Sequence, residues 1–262
     1  MALSFKKVAG LPFVDADLTT FTAEMLSMRH TSGTGLAVHL MAAHGVSIAY
    51  QDETFAEKIQ KSSVLLPDSK WLQIFSGGPS FGLTQVRGVD LLRHVLEVTS
   101  GSGIQHLFLV PNQNVGTALS STLKKSYPAV EVAGIRLETH RELTAAEMDT
   151  LVSNVQQFDR PIVWVGNGTP AQNVLAVDLA SRVPCTALAV GAAFDFLSGA
   201  QSEAPRWTSA LGLEWLYRLL SEPRRLWRRY TVGNLLFLLA VLKNTVPRVS
   251  HAGKMGQTEA EK

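Results

Sequence analysis

The chain has 262 residues, 46% hydrophobic and 18% charged, with a formal net charge of +2, a composition that excludes a mainly disordered protein. Its single cysteine, Cys185, excludes an internal disulfide, and no apolar run reaches the roughly 20 residues that a membrane-spanning helix needs. Residues 1–205 carry a net charge of −4 and residues 206–262 a net charge of +6, so we expect the C-terminal part to meet an anionic partner.

The N-terminal part predicts an irregular series of elements. In chain order these are a helix over Thr20–Arg29, a strand over Leu36–Met41, a helix through Ile59, and the apolar segments Val64–Leu66 and Trp71–Phe75 on either side of the turn Pro67-Asp68-Ser69.

From about residue 89, short apolar strands alternate with helices. The helices are predicted over Val89–Val98, Val115–Ser126, Met148–Val155 and Pro170–Ser181, and the strands over Gln105–Val110, Val130–Ile135, Pro161–Val165 and Cys185–Val190. Thr144 and Glu147 form a capping box ahead of the third helix. Fully apolar strands are typical of a parallel sheet with helices on both faces, which predicts a Rossmann-like α/β fold.

After Ala204 no strand is predicted, and two helices fit the sequence, Ser209–Leu220 and Glu222–Leu242. Pro223 is compatible with the first turn of the second helix. We therefore expect an α/β catalytic domain over residues 1–205, a membrane-associating helical appendage over 206–250 and a flexible tail over 251–262.

Two turns follow predicted strands, at the sheet edge where open α/β folds bind ligands. In VGNGTPAQN, Val165–Asn173, Gly166 and Gly168 would let the backbone approach a ligand closely, and the helix that starts at Pro170 would offer free N–H groups to an anion. Similar turns also occur without any ligand. In GAAFDF, Asp195 is either a cap or an acceptor for a ligand's ribose or base.

Two carboxylate motifs lie nearer the N-terminus. Asp68 follows VLLP, where a carboxylate can have a raised pKa and act as a general base, although Pro-Asp-Ser is also an ordinary turn. Asp15-Ala16-Asp17 has the spacing of a metal-binding motif in many sugar-nucleotide enzymes, but its position before a helix favours capping. The seven histidines form no compact cluster, so we expect no metal site.

The most specific motifs lie in the C-terminal third. VGNGTPAQN is similar to VGLGxPKQE, GAAFDFLSGAQSEAPRW to GxxFDxxxGxxxRAPxW, and GLEWLYRLLSEPRRLWRRY closely matches a signature of the same family. Upstream, LLPDS, VRGVDLL and AAHGVSIAYQDETF match further segments. Over about residues 10–240 the chain thus resembles the WecG/TagA/CpsF glycosyltransferases, glycosyltransferase family 26.

The resemblance implies an activity. These bacterial enzymes transfer a sugar from a UDP-sugar donor to a polyprenyl-diphosphate-linked sugar acceptor during cell-surface polysaccharide synthesis. They invert the anomeric configuration, need no metal or other cofactor, and act on the inner face of the cell membrane. A protein of this kind meets an anionic membrane surface, and it can form a homo-oligomer.

The resemblance also implies roles for individual residues. Asp68 falls on the catalytic base, Arg87 on a substrate-binding arginine, Gln172 on the residue that positions the donor or leaving group, and Asp195 beside the nucleotide pocket. Gly166 and Gly168 would line the UDP-sugar site.

The arginine-rich segment resembles the family's C-terminal appendage, which docks on the membrane and closes over the active site. We expect Arg218, Arg225 and Arg228 to hold the diphosphate, and Arg224, Trp227 and Arg229 to meet the membrane. In the predicted helix, Arg224, Arg225, Arg228 and Arg229 share one face, and Leu226, Trp227 and Tyr230 share another. A solvated surface helix is the alternative, while a nucleic-acid interface is disfavoured because the rest of the chain is acidic.

Several positions depart from the family pattern. Leu40-Met41-Ala42 replaces Thr-x-Asn, Pro111-Asn112 replaces Gly-Gly, Glu203-Ala204-Pro205 replaces Arg-Ala-Pro, and Ala171 and Asn173 replace a lysine and a glutamate. These changes predict that the part of the site that binds the UDP-sugar donor differs from that of the family. The chain then either uses a different UDP-sugar or is a catalytically impaired UDP-sugar-binding paralogue that partners an active glycosyltransferase; a soluble nucleotide-sugar enzyme without membrane contact is a third hypothesis.

Overall fold

The computed structural model describes residues 3–31, 34–61, 63–78, 82–137, 141–205, 208 and 211–243, without the side chains of residues 30, 31, 137, 225 and 229. In this part of the chain eight strands form one sheet: β1 (Ser4–Val8), β2 (Leu11–Asp15), β3 (Leu36–Met41), β4 (Ser63–Pro67), β5 (Gln105–Val110), β6 (Glu131–Leu137), β7 (Ile162–Val165) and β8 (Thr186–Ala189). Their order across the sheet is β1-β2-β4-β3-β8-β7-β5-β6, and only the β1–β2 pair is antiparallel. The predicted α/β, mostly parallel fold is confirmed.

Helices surround the sheet. They are α1 (Leu18–Thr31), α2 (Ala43–Gln51), α3 (Glu53–Gln60), α4 (Lys70–Phe75), α5 (Gly88–Val98), α6 (Gln113–Ser126), α7 (Ala145–Val155), α8 (Ala171–Arg182), α9 (Ala193–Leu197), α10 (Glu214–Ser221) and α11 (Pro223–Lys243).

The central strands are apolar because both of their faces are buried. Successive side chains of a strand point to opposite faces. Phe108 and Trp164 therefore pack in the core beneath α1 and α5, whereas Leu107 and Val163 pack with α7 and α8 on the other side. The register aligns Phe108 with Trp164 on neighbouring parallel strands. The predicted capping box of Thr144 and Glu147 is present at the start of α7.

Three local predictions differ from the structure. The helix expected through Ile59 is two helices, because Asp52 ends α2 and caps α3 by accepting a hydrogen bond from the Phe55 N–H at 3.0 Å. The start expected at Ser209 lies outside the described residues, and the helix α10 begins at Glu214, after Gly212 with its left-handed φ of 73°. The β1–β2 hairpin was not predicted, since the largely exposed SFKKV lacks an apolar pattern.

The second C-terminal helix contributes to the core. Phe237 and Ala240 of α11 are fully buried and pack with Val46 and Ala49 of α2. Gly233 of α11 also faces α2, since a Cβ at this position would lie in ordinary contact with His44 Nδ1, at 3.5 Å. None of the helices in the described ranges combines the length and the apolar character needed to cross a membrane. Arg206 and the predicted tail over 251–262 lie outside the described residues.

Candidate active site

A cavity of about 370 Å³ opens at the carboxyl ends of β3, β4, β5, β7 and β8. Parallel strands bring these ends to one edge of the sheet, where ligands of such folds bind. Seven of the predicted site residues line it together: Asp68, Arg87, Gly166, Gly168, Gln172, Asp195 and Arg218. Ala42 and Pro111, two of the departures from the family pattern, line it as well.

Asp68 is held at the end of β4 by backbone contacts. Its N–H donates to the Met41 carbonyl at 2.9 Å, and its Oδ1 accepts a hydrogen bond from the Gly88 N–H at 2.8 Å. Among the described residues no group donates a hydrogen bond to the second oxygen, Oδ2. The carboxylate thus has a fixed orientation and one oxygen that a hydroxyl group could approach.

The surroundings of Asp68 favour its neutral form. Burial raises the pKa of Asp68 to about 6, and the nearby carboxylate of Glu214 adds to this rise. The Gly88 N–H and the guanidinium groups of Arg218 and Arg87 act in the opposite direction. A group that titrates near neutral pH is suited to general acid–base chemistry.

Gln172 joins the two turns that follow β7 and β8. Its Oε1 accepts hydrogen bonds from the Gly168 N–H at 3.1 Å and the Gly191 N–H at 3.2 Å, and its Nε2 donates to Thr169 Oγ1 at 3.2 Å. The side chain is 1% exposed. Gln172 therefore shapes this wall of the cavity, and contact with the donor remains a prediction for it.

Two of the N–H groups expected to be free for an anion at the start of α8 already donate to backbone carbonyls. The N–H of Gln172 donates to the Gly168 carbonyl, and the N–H of Asn173 donates to the Pro170 carbonyl, both at 2.9 Å.

The two glycines of the turn after β7 have different physical reasons. Gly166 is required by packing, because a side chain there would overlap the Phe194 ring, whereas Gly168 adopts a left-handed φ of 92°.

The departures at positions 171 and 173 do not rewrite the cavity. Ala171 and Asn173 are buried and lie outside its lining, and the Asn173 Nδ2 lies 3.2 Å from His39 Nδ1 in the core. Among the other departures, Leu40, Ala42, Pro111 and Asn112 do line the cavity.

Arg87 lies among three carboxylates. Its guanidinium nitrogens are 3.3 Å from Glu203, 3.6 Å from Asp90 and 3.8 Å from Glu214. Glu203, the residue of reversed charge, also forms an ion pair with Arg93. Burial opposes ionisation of Glu203, but pairing with Arg93 and Arg87 lowers its pKa below the ordinary value. The reversed charge is thus compensated by two arginines.

The helix α10 completes the cavity. Its Glu214 and Arg218 form an ion pair of 3.2 Å, and the Arg218 guanidinium lies 4.7 Å from the centre of the Phe196 ring. Asp195, one residue before that ring, lines the same cavity. Glu214 and Arg93 were not predicted as site residues. The i,i+4 spacing of Glu214 and Arg218 could have indicated Glu214 as a site residue. Arg93 and Glu203 are distant in the sequence, so no local pattern could have indicated their contact.

The predicted faces of the arginine-rich helix need a correction. Arg224 and Arg228 are exposed, and Trp227 is exposed beside them, while Leu226 is buried. Leu226 and Trp227 therefore do not share a face, whereas Arg224 and Arg228, four positions apart, do. The side chains of Arg225 and Arg229 lie outside the described residues.

Arg228 does not line the cavity; its guanidinium lies 5.3 Å from the centre of the Trp227 ring. Its contact with substrate remains a prediction.

The Asp15-Ala16-Asp17 motif is structural. Asp17 Oδ1 accepts a hydrogen bond from the Thr20 N–H at 2.7 Å in the first turn of α1, and Asp15 forms an ion pair with Lys6 at 2.6 Å. The capping prediction is confirmed for Asp17. In the described part of the chain, no three His, Cys, Asp or Glu side chains come close enough together to hold a metal ion.

Comparison with known proteins identifies the family. The family model for the glycosyl transferase WecG/TagA/CpsF family matches residues 6–251. One relative, the N-acetylglucosaminyldiphosphoundecaprenol N-acetyl-beta-D-mannosaminyltransferase of Bacillus subtilis, is 22% identical over 224 residues, 85% of each chain. A protein with the same name from Bacillus spizizenii is 24% identical over 243 residues, 91% of each chain, and one from Staphylococcus aureus is 22% identical over 205 residues, 78% of this chain and 79% of the relative. The match spans nearly the whole chain and includes the cavity at the sheet edge, so this protein belongs to the WecG/TagA/CpsF family of glycosyltransferases.

Proposed function

We propose that the protein transfers a sugar from a UDP-sugar to a sugar that is linked through a diphosphate to a polyprenyl lipid. The observation that carries the proposal is the Asp68 carboxylate, held at the base of the cavity with a pKa of about 6, beside Arg87 and Arg218. The names of the relatives from the two Bacillus species support this class of acceptor.

In the proposed reaction Asp68 acts as the general base. It removes the proton from the acceptor hydroxyl while that oxygen attacks the anomeric carbon of the donor sugar. The bond between the anomeric carbon and the UDP oxygen breaks, and UDP leaves with the electron pair. A single displacement of this kind inverts the anomeric configuration.

The leaving group gains negative charge as its bond breaks. Fixed guanidinium groups can stabilise this charge in the place of a metal ion. Arg218 and Arg87 line the cavity and supply two such groups, and we propose that Arg225 and Arg228 join them. We therefore propose that transfer needs no metal.

The exposed surface of α10 and α11 suits an anionic membrane. Leu220 is 74% exposed and Trp227 is 50% exposed, close to the exposed Arg224 and Arg228. Arginines attract anionic headgroups, and aromatic rings favour the boundary between headgroups and acyl chains. We propose that residues 206–250 act as an appendage that places the cavity next to its lipid-linked acceptor at the inner face of the membrane.

The test measures UDP release from a panel of UDP-sugars, with a short-chain polyprenyl-diphosphate-sugar acceptor, in the presence of EDTA. The panel includes UDP-N-acetylmannosamine because the relatives carry that sugar in their names. We expect one donor to give release that requires the acceptor and is unchanged by EDTA. Loss of activity in EDTA that Mg²⁺ restores would contradict the metal-free mechanism.

One observation favours a second candidate function. Arg87 already faces three carboxylates, including the charge-reversed Glu203, which weakens its attraction for a substrate anion. The second candidate is a UDP-sugar-binding protein that has lost turnover and partners an active glycosyltransferase. UDP binding without acceptor-dependent release for any donor would favour this candidate over the first.

A further inference from the structure

A second cavity, of about 80 Å³, adjoins the first at the catalytic aspartate. Four residues line both cavities: Ala42, Asp68, Glu214 and Arg218. The two cavities therefore meet at the carboxylate that would remove a proton, which is the arrangement a transfer between two bound substrates requires.

The second cavity has an aromatic wall. Trp71 and Trp215 meet edge to face with ring centres 6.3 Å apart, and Trp215 and Tyr230 lie 6.1 Å apart. Trp71 is fixed by a hydrogen bond from its Nε1 to the Gly212 carbonyl at 3.4 Å and by an edge contact with the Phe237 ring, 6.1 Å between centres. The wall joins the sheet domain to α10 and α11.

Polar side chains complete the lining. His44, Lys70 and Asn234 lie around the same cavity as the three rings. A pyranose offers both kinds of surface that this lining matches, because its C–H groups pack against aromatic faces and its hydroxyls form hydrogen bonds. The larger cavity, with its glycine turns and arginines, suits a nucleotide diphosphate better.

We propose that this aromatic cavity binds the sugar ring of the acceptor and presents one of its hydroxyls to Asp68. The inference rests on the proposed function and identifies the acceptor subsite within it. A polyprenyl chain is a poorer occupant, because it would remove water from Lys70 and Asn234 without offering them hydrogen bonds. Ala42, which lines both cavities, leaves room between the two sugars where the family pattern has an asparagine.

The test compares Trp215→Leu with Trp215→Phe, which keeps a ring. We expect Trp215→Leu to raise the KM for a short-chain acceptor about five- to tenfold, while the KM for the donor stays within twofold. Trp215→Phe should lie near the native value. Phe5→Leu is the control, since Phe5 is an exposed aromatic residue on the edge strand β1.

A second variant distinguishes weaker acceptor binding from a loss of folding caused by removing a ring. Asn234→Leu changes the cavity without removing a ring from the Trp71–Trp215 contact, and it should raise the acceptor KM in the same direction. Equal KM values for the acceptor in native protein, Trp215→Leu and Asn234→Leu would overturn the proposal.

Calorimetric binding separates this proposal from the proposed function. The probes are a short-chain prenyl-diphosphate sugar and the same prenyl diphosphate without its sugar. We expect Trp215→Leu to weaken binding of the first and leave the second unchanged. If both weaken equally, the cavity holds the lipid or diphosphate and the sugar assignment is wrong, whether or not the native protein shows turnover.

Discussion

The two walls of the main cavity are built in different ways. On the sheet-edge wall, the buried carboxamide of Gln172 holds the turns after β7 and β8 through backbone N–H groups. On the helical wall, Arg87, Glu203, Glu214 and Arg218 hold one another through ion pairs between partly exposed side chains. Hydrogen bonds between a buried carboxamide and backbone N–H groups fix one geometry, whereas ion pairs between partly exposed side chains contribute less and can exchange partners. The comparison indicates a rigid wall and a wall that can rearrange around an anion.

The largest effect on folding is expected from breaking the sheet-edge wall. Gln172→Leu leaves the partly buried N–H groups of Gly168 and Gly191 without their side-chain acceptor, so we expect a loss of about 2–3 kcal/mol in the free energy of unfolding. Denaturant titration measures it. Gln201→Leu is the matched control, because Gln201 is a half-buried glutamine whose side-chain Nε2 donates to Glu222 on the helical side at 3.2 Å. Equal losses for the two variants would contradict the difference between the walls.

A pH effect of similar size is expected from two histidines buried in the sheet, His106 near the amino end of β5 and His39 within β3. Burial lowers the pKa of His106 to about 4 and that of His39 to about 3, so the native state binds fewer protons than the unfolded chain below pH 6.5. Stability is therefore complete above pH 6.5 and falls as the pH decreases from there. The lowered pKa of His106 alone should reduce the free energy of unfolding by roughly 3 kcal/mol at pH 4, since each pKa unit corresponds to about 1.4 kcal/mol.

Denaturant titrations between pH 4 and 8 measure the slope of the free energy of unfolding against pH. His106 Nδ1 accepts from Trp164 Nε1 at 3.0 Å, and its Nε2 lies 2.9 Å from Thr99 Oγ1. Glutamine at this position has a donor and an acceptor but no titrating group, so His106→Gln should reduce the slope. An unchanged slope would show that the acid sensitivity arises elsewhere.

On the helical wall we expect a smaller effect, on the pH dependence of activity. In the proposed mechanism deprotonated Asp68 is the active form, so kcat/KM should rise with pH through the pKa of about 6 and reach a plateau above it. The Glu214 carboxylate contributes to this raised pKa, so Glu214→Gln should move the midpoint to lower pH. A midpoint that moves to higher pH would contradict the account of the helical wall.

The smallest effect is expected from Glu203→Gln. Glu203 is partly exposed, so the free energy of unfolding should change by less than about 1 kcal/mol. Removing its charge leaves Arg87 with a stronger attraction for phosphate, so UDP should bind about two- to fivefold more tightly by calorimetry. Weaker binding would mean that Glu203 positions Arg87 rather than competing with the ligand.

The two walls also differ in how far sequence could predict them. Local patterns indicated the apolar central strands, the capping box at Thr144 and the cap at Asp17, because each depends on neighbours within a few residues. The turns on the sheet-edge wall were predicted for the same reason. The ion pair of Arg87 with Glu203 joins positions 116 residues apart, and no local pattern encodes it.

Two further differences between the sequence predictions and the structure have physical causes. The strand β1 is exposed at the sheet edge, so it needs no apolar alternation and gave no signal. The Phe194 ring occupies the space that a side chain at position 166 would need. Packing therefore requires a glycine at Gly166, where the sequence suggested close approach to a ligand. The turn motifs and the resemblance identified seven residues that line the cavity but not Glu214, and the tertiary structure determined which of these residues are held by other side chains.

The most direct test of the central claim is the rate of acceptor-dependent UDP release by Asp68→Asn, measured beside UDP binding. Asparagine keeps an oxygen for the Gly88 N–H but cannot act as a base, so we expect the rate to fall about 100-fold or more while UDP binding stays within twofold. A rate within a few-fold of the native value would contradict the assignment of Asp68 as the base.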